Sequence, residues 1–408
     1  MHPSEDIRGT LSKRLLGKRI LLGITGSIAA VECVKLGREL VRHGADVHAV
    51  MTEKACEIVG PYAIEFATGN PVITHLTGRV EHVSLCGDVD GRADMILIAP
   101  CTANTLGKMV HGIDDSPVTT FLTTGIGTGI PVMVVPAMHN TMYHHPRVIE
   151  NLEIARDMGI HVIDPKIEEK KAKMASISII VEGVLRLLSG QRMHNEKVLI
   201  VTGATREPVD DMRVLTNLAT GASGIALAME ASREGADVHL LAGENVNNIP
   251  EHISSERFTT TEDLLGKLEI LSNDWEAPTM AFFPAGISDY SVKRTEGKIP
   301  SGKDSLKLDL EPTPKVIERF RKLYPETFLV GYKAESVKDT ETLLSRAYEK
   351  LTKVKMQAIV ANDLSDVSAD TTRVYLLTPD KEAFKAVGSR SDIASFLLEK
   401  SLELKESR

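Results

Sequence analysis

Ile20-Leu21-Leu22-Gly23-Ile24-Thr25-Gly26 is an apolar run ending in Thr-Gly, and Val198-Leu199-Ile200-Val201-Thr202-Gly203 is a second. Each reads as a buried strand feeding a glycine turn, because a strand covered on both faces shows no polar alternation. The echo continues downstream. Arg42-His43-Gly44-Ala45-Asp46-Val47-His48 returns as Arg233-Glu234-Gly235-Ala236-Asp237-Val238-His239. The Thr-Gly pair repeats at an offset of 177 residues and the second segment at 191, so the second copy carries 14 extra residues between turn and helix. Strand, turn, amphipathic helix, glycine stop and second strand open a doubly wound α/β fold, and this predicts two such domains. The insertion falls at the carboxyl end of a first strand, where open α/β sheets bind ligands.

Further apolar runs extend both sheets: 94–99, 131–136 and 160–163 in the first half, and 279–283, 328–331, 357–361 and 373–377 in the second. A helical stretch, 176–188, runs out at Ser189-Gly190, and the polar segment 191–196 precedes the next strand. The expected domains are therefore 1–190 and 191–408. A length of 408 residues allows each half its own core. The net charge of −8 argues against a nucleic-acid binder that neutralises phosphates. No apolar run approaches the roughly 18–20 residues that span a bilayer. The first 20 residues carry charges throughout and lack the apolar core of a signal peptide, so a cytoplasmic location is expected. Cys33, Cys56, Cys86 and Cys101 show no CxxC spacing or accompanying His pair, and read as small buried hydrophobes.

The first glycine turn, Gly23-x-x-Gly26-Ser27-x-Ala29, lacks the GxGxxG spacing. Its second strand ends in Met51-Thr52 where a ribose-binding acid would stand, which disfavours a nicotinamide dinucleotide. A helix N-terminus with Ser27 can still hold one phosphate, and a plain strand–helix turn fits equally well. Pro100-Cys101-Thr102-Ala103-Asn104-Thr105 and Pro136-Ala137-Met138-His139-Asn140-Thr141-Met142-Tyr143 follow neighbouring strands. As a pair they resemble the PASANT and PxMNxxMW motifs of the homo-oligomeric flavin-containing cysteine decarboxylases, over about 190 residues. That resemblance implies a flavodoxin-like flavoprotein domain. It implies FMN contacts at Gly26, Ser27, Thr52, Pro100, Thr102, Asn104 and Thr105, and a substrate site including His139 and Met142. It also places His82 at the family's catalytic histidine, a residue type able to exchange protons near neutrality. The implied reaction oxidises a cysteine-derived thiol to a thioaldehyde, loses CO₂, and returns the product to a saturated thiol.

In the second half, Thr202-Gly203-Ala204-Thr205-Arg206-Glu207-Pro208-Val209-Asp210 leads on to Thr216-Asn217-Leu218-Ala219-Thr220-Gly221. Ala285-Gly286-Ile287-Ser288-Asp289-Tyr290, Gly297-Lys298-Ile299-Pro300, Gly331-Tyr332-Lys333-Ala334-Glu335 and Ala361-Asn362-Asp363 come later, read as polar segments after strands. Their order resembles the phosphopantothenate–cysteine ligases, with TxGxTxExxDxxRxxxNxxxG, AxxxDY, KI, GFxAE and AND. The whole chain thus resembles, from about residue 18 to 400, the bifunctional phosphopantothenoylcysteine decarboxylase/phosphopantothenate–cysteine ligases of coenzyme A biosynthesis. The resemblance implies a nucleotide-binding ligase domain that activates phosphopantothenate with CTP through an acyl-cytidylate. Lys298 then matches the lysine that steadies the triphosphate, and Asn217 the asparagine of the second half-reaction. Phe283, Pro284, Ala285, Asp289, Pro314, Lys315, Val316, Ile317 and Tyr332 match nucleotide contacts. Lys350, beside Lys353 and Lys355, is a further phosphate candidate, although such runs usually form solvated faces. Mg²⁺ is expected to arrive with the triphosphate, with Asp289 a candidate contact. Trimeric contacts between decarboxylase domains and dimeric contacts between ligase domains are implied too.

Two departures stand out. His139 occupies the place of the second motif's Asn, and Tyr143 that of its Trp. The flap beyond Asp164, where many relatives carry a proton-donating cysteine, here has none, and Lys173 is the candidate replacement. The residues also leave open a flavin-dependent decarboxylase fused to an inactive nucleotide module, and a non-enzymatic flavin sensor.

Overall fold

The computed structural model describes residues 2–168, 171–300, 305–337, 339–363 and 371–407. Two compact units divide it, Met1–Ser189 and Gly190–Arg408. In the first, five strands are laid down in chain order: β1 (Arg19–Ile24), β2 (Asp46–Met51), β3 (Met95–Cys101), β4 (Val132–Pro136) and β5 (His161–Val162). They form one parallel sheet in the order β2-β1-β3-β4-β5. This is the flavodoxin-like order, whose direction reverses between β1 and β3 and leaves a crevice at their carboxyl ends. The lack of polar alternation in β1 has a direct cause. Ile20, Leu22 and Ile24 pack on one face with Leu36 and Leu40, while Leu21 packs on the other with Ile96, Ile98 and Phe121. Each such fully buried side chain contributes roughly 1.5–3 kcal/mol. All four cysteines are free thiols, and Cys33, Cys86 and Cys101 are buried among these apolar groups. Burial pushes each of the three up to about 12, which leaves them unreactive as thiolates.

The second unit continues with β6 (Lys197–Ala204), β7 (Asp237–Gly243), β8 (Ser254–Phe258), β9 (Met280–Phe282), β10 (Phe328–Glu335), β11 (Ala358–Asp363), β12 (Thr372–Leu377) and β13 (Ala383–Gly388). The sheet runs β8-β7-β6-β9-β10-β11-β12-β13, with β12 and β13 antiparallel. Its core is again two-sided: Val198 and Ile200 meet Leu227 and Leu397, while Leu199 and Val201 meet Leu264 and Phe320. The sequence reading missed β8, Ser254-Ser255-Glu256-Arg257-Phe258, because an edge strand needs no apolar run. It also ended β10 too early. Tyr332 to Glu335, read as a polar segment after the strand, pairs with β11 as far as Glu335 and Asp363, so these polar groups are the strand ends themselves. The extra residues after β6 fold back as an antiparallel hairpin, Arg206–Pro208 against Val214–Thr216. Among the described residues, no helix is long and apolar enough to cross a membrane.

Candidate active sites

In the first unit, Thr25 closes the crossing between β1 and β3. Its hydroxyl donates to the Pro100 carbonyl at 2.7 Å and accepts from the Thr102 N–H at 3.1 Å. Sequence reasoning gave Thr25 no role; two turns sharing small hydroxyl residues were the available signal. Ser27 begins the short helix Ile28–Glu32 and makes no capping bond, so its hydroxyl is not consumed by the turn. Gly26 allows the next turn close approach, since a β-carbon there would lie 2.5 Å from Lys54 Cβ. Thr52 caps the helix Glu53–Cys56, accepting from Ala55 N–H at 3.2 Å. Thr102 caps Ala103–Val110 and donates to the buried Thr105 hydroxyl at 3.1 Å, while Asn104 is exposed. Gly26, Ser27, Thr52 and Thr102 thus belong to turns at one carboxyl edge, with Pro100 at the end of β3 and Asn104 in the first turn of the helix that follows, a polar cradle that suits a flavin phosphate and ring.

The second motif is fastened to the first, the Ala137 N–H donating to Cys101 carbonyl at 3.1 Å. His139 caps the turn Asn140–Tyr143, its Nδ1 lying 2.9 Å from the Thr141 hydroxyl and accepting from the Thr141 N–H at 3.4 Å. With Nδ1 accepting, Nε2–H remains as a donor. Met142 is exposed beside it. The neighbouring Asn140 carries a buried carbonyl oxygen with no hydrogen-bond partner, a feature the sequence reading did not anticipate. Met138–His139 pairs with the flap strand Lys171–Lys173, which in turn pairs with Lys166–Glu168. The flap backbone and the second motif are therefore one small sheet, and Lys173 stands half-buried in it. Tyr143 donates to Asp164 at 3.5 Å, and Arg156 holds the same carboxylate at 2.7 Å. His82 sits on the helix Glu81–Cys86 and presents its ring edge-on to Phe121, 6.5 Å between centroids. Its Nδ1 is buried without a partner. Leaving such a group unsatisfied costs roughly 1–3 kcal/mol, which a ligand or a proton-transfer partner would offset.

In the second unit, a cavity of about 1120 Å³ opens at the carboxyl edge of the sheet. Asn217, Phe283, Ala285, Asp289, Pro314, Lys315, Val316, Ile317, Tyr332 and Lys350 all line it. Pro284 and Lys298 do not. Two buried threonines hold its lining residue Ser288: Thr205 accepts from Ser288 N–H at 2.9 Å, and Thr313 donates to Ser288 carbonyl at 2.5 Å. Gly286 lets the Asn217 loop come close, because a β-carbon there would meet Ala219 Cβ at 2.8 Å and Asn217 Cβ at 3.1 Å. Asp289 and Lys315 pair at 2.5 Å. Lys350 is no solvated face residue: its ammonium donates to the Tyr332 carbonyl at 3.0 Å. Burial, then Lys333 nearby, pulls its pKa below the ordinary lysine value. Tyr332 itself has a buried hydroxyl without a partner, and burial pushes its pKa up. Lys333 and Arg346 converge on Glu335 at 2.8 and 3.1 Å. A concave wall whose cations Lys315, Lys333, Arg346, Lys350 and Lys353 outnumber its carboxylates Asp289, Glu318, Glu335 and Glu349 suits a nucleotide with its phosphates. Among the described residues, no group of three or more His, Cys, Asp and Glu side chains could hold a metal by itself.

The Flavoprotein family profile matches residues 8–189, and that of the DNA/pantothenate metabolism flavoprotein C-terminal domain matches 193–404. The coenzyme A biosynthesis bifunctional protein CoaBC of Thermococcus kodakarensis is 44% identical, over 93% of this chain and 94% of its own. That of Methanocaldococcus jannaschii is 37% identical, over 100% and 99%. A crystal structure of the DNA/pantothenate metabolism flavoprotein from Streptococcus pneumoniae covers 50% of this chain and 97% of its own, at 25% identity and a TM-score of 0.46.

Proposed function

The chain belongs to the family of the coenzyme A biosynthesis bifunctional proteins, and on that premise we propose how its two units divide the work. The second unit joins 4'-phosphopantothenate to cysteine at the expense of CTP. The first decarboxylates the resulting phosphopantothenoylcysteine to 4'-phosphopantetheine with FMN. The observation that carries this reading is the convergence of the Asn217 loop, the ends of β9 and β10, the turn Thr313–Ile317 and the helix bearing Lys350 on one cavity of nucleotide-accommodating size.

In the ligase reaction, the phosphopantothenate carboxylate attacks the α-phosphorus of CTP and the bond to the β-phosphate breaks, releasing pyrophosphate. The cysteine amine then attacks the acyl carbon and CMP leaves. Lys315, Lys333 and Lys350 provide cations along the cavity wall, and Lys298 offsets charge on the departing phosphates. Asp289 faces the ribose, and Asn217 orients the acyl group. Mg²⁺ would be held by the triphosphate of CTP, with Asp289, which pairs with Lys315, as a candidate carboxylate.

In the decarboxylase reaction, the flavin supplies the two-electron oxidation that gives the departing CO₂ an electron sink, and the matching reduction. Gly26, Ser27, Thr52, Pro100, Thr102, Asn104 and Thr105 hold the cofactor. His82 exchanges a proton with the substrate thiol. His139 donates from Nε2 to the substrate amide, with Met142 against its apolar stem. Lys173 supplies the proton that relatives draw from a flap cysteine. The exposed Ile28 and Val31 beside the Ser27 turn favour burial in a homo-oligomer. Incubation with phosphopantothenate, cysteine, CTP and Mg²⁺ should yield phosphopantetheine by mass. Absence of pyrophosphate would remove the ligase half, and accumulation of phosphopantothenoylcysteine without CO₂ the decarboxylase half.

A further inference from the structure

We propose that Asp210 is a positioning residue of the ligase reaction, its carboxylate holding the Lys298 segment against the hairpin that follows β6. The inference rests on the reading of Lys298 as the lysine facing the nucleotide's leaving phosphates. Lys298 is exposed and lies in the irregular stretch 293–300, where a long side chain on unsupported backbone would have no fixed place. That segment is nonetheless tied to the hairpin at Arg294, Thr295, Gly297 and Ile299. Thr295 N–H donates to Val209 carbonyl at 3.0 Å, Asp211 N–H donates to Gly297 carbonyl at 3.4 Å, and Arg294 pairs with Asp211 at 2.8 Å. Ile299 N–H donates to Asp210 Oδ2 at 3.0 Å, and the Arg213 guanidinium reaches both that oxygen and the Ile299 carbonyl. Both neighbours of Lys298 are thus gripped, while its own side chain stays exposed.

The two carboxylate oxygens of Asp210 divide the task. Oδ1 accepts from Met212 N–H at 2.8 Å and Arg213 N–H at 2.7 Å, closing the tip of the hairpin. Oδ2 reaches across to Ile299. The side chain is fully buried. Burial alone would push its pKa up, but the N–H groups of Ile299, Met212 and Arg213 and the guanidinium outweigh it and hold the carboxyl at about 2. It is therefore ionised at any working pH, yet it does not line the cavity. From the same hairpin the chain passes through Val214–Thr216 to Asn217, in the cavity wall. Asp210 thus joins the segment bearing the first half-reaction's lysine to the hairpin that leads to the second half-reaction's asparagine.

Asp210→Asn separates positioning from folding, because an Asn amide keeps one acceptor oxygen for the turn but presents an NH₂ where Ile299 N–H needs an acceptor. In the full chain, pyrophosphate release from CTP and phosphopantothenate should lose roughly tenfold to a hundredfold in kcat, with the KM for CTP shifted by less than about twofold. The double variant Asp210→Asn/Lys298→Ala should be no slower than Lys298→Ala alone, within about twofold, since the tether then holds nothing of use. Losses that multiply in the double variant, or an unimpaired Asp210→Asn, would overturn the inference while leaving the reading of Lys298 standing. An unimpaired Lys298→Ala would remove that reading and the inference with it. If Asp210→Asn does not fold, Arg294→Ala loosens the exposed end of the same tether. It should then give a smaller loss in kcat that likewise vanishes in the Lys298→Ala background, and a multiplicative loss would overturn the proposal.

Discussion

At the scale of single residues, two side chains in unusual surroundings set the sharpest expectations. His82 holds a buried ring nitrogen with no partner. His82→Asn should cost CO₂ release from phosphopantothenoylcysteine at least about a hundredfold, the size of a lost acid–base group. Flavin absorbance and pyrophosphate release should be unchanged; a variant that loses its colour as well would make His82 a structural residue. Lys350 carries a pKa held below the ordinary lysine value by burial. Its ammonium is needed by phosphate, so the KM for CTP should climb as pH rises, and at lower pH than a solvated lysine would produce. Lys350→Arg, which stays charged, should move that climb to higher pH, and coincident profiles would exclude Lys350 from phosphate binding. The sequence could nominate His82 by its match to a family position and Lys350 by its basic run with Lys353 and Lys355. It could not tell that Lys350 leaves its basic run to bond a backbone carbonyl on β10, nor that Asn140, beside the motif position, has the orphaned oxygen, because both depend on neighbours distant in the chain.

At the scale of elements, the paired Thr-Gly turns and the offset repeat were enough to predict two doubly wound sheets, since buried parallel strands have a plain apolar signature. Strand ends were harder to read. Beyond the core, β10 and β11 keep their backbone pairing while their side chains turn polar, and a hydropathy pattern cannot see a ladder. The turns are where variants should tell most. Thr25→Val removes the hydroxyl that bonds both Pro100 and Thr102 while keeping the shape. The purified protein should hold less flavin per chain, with ligase rate intact, and full flavin content would show the crossing to be rigid without it. Gly286→Val should push the Asn217 loop aside, since even a β-carbon would meet Ala219 at 2.8 Å. Peptide-bond formation should fall on the order of tenfold, as for a misplaced reacting group. A normal rate would mean that the loop has room to move.

At the scale of the whole molecule, each unit owns a two-sided core, so the two activities should survive each other's loss. Their responses to acid should differ as well. Asp210 is held at about 2, below roughly 3.9 for an unfolded aspartate. Its stabilisation is therefore full above about pH 4 and is lost as pH falls through about 2. Calorimetry from pH 5 downward should show the ligase transition losing more temperature than that of its Asp210→Asn variant. Equal slopes would place the acid sensitivity elsewhere. The same repeated plan serves both units, with chemistry assigned by the polar segment at the end of each strand; composition and charge said little about that, and the ordered motifs said most. In the first unit the Thr25 hydroxyl closes the crossing between β1 and β3. Hydrogen bonds of the chain itself thus set the spacing of the two turns, which makes flavin binding expected to be reversible. Apoprotein stripped of its yellow colour should recover absorbance on simple mixing, without passing through the unfolded state.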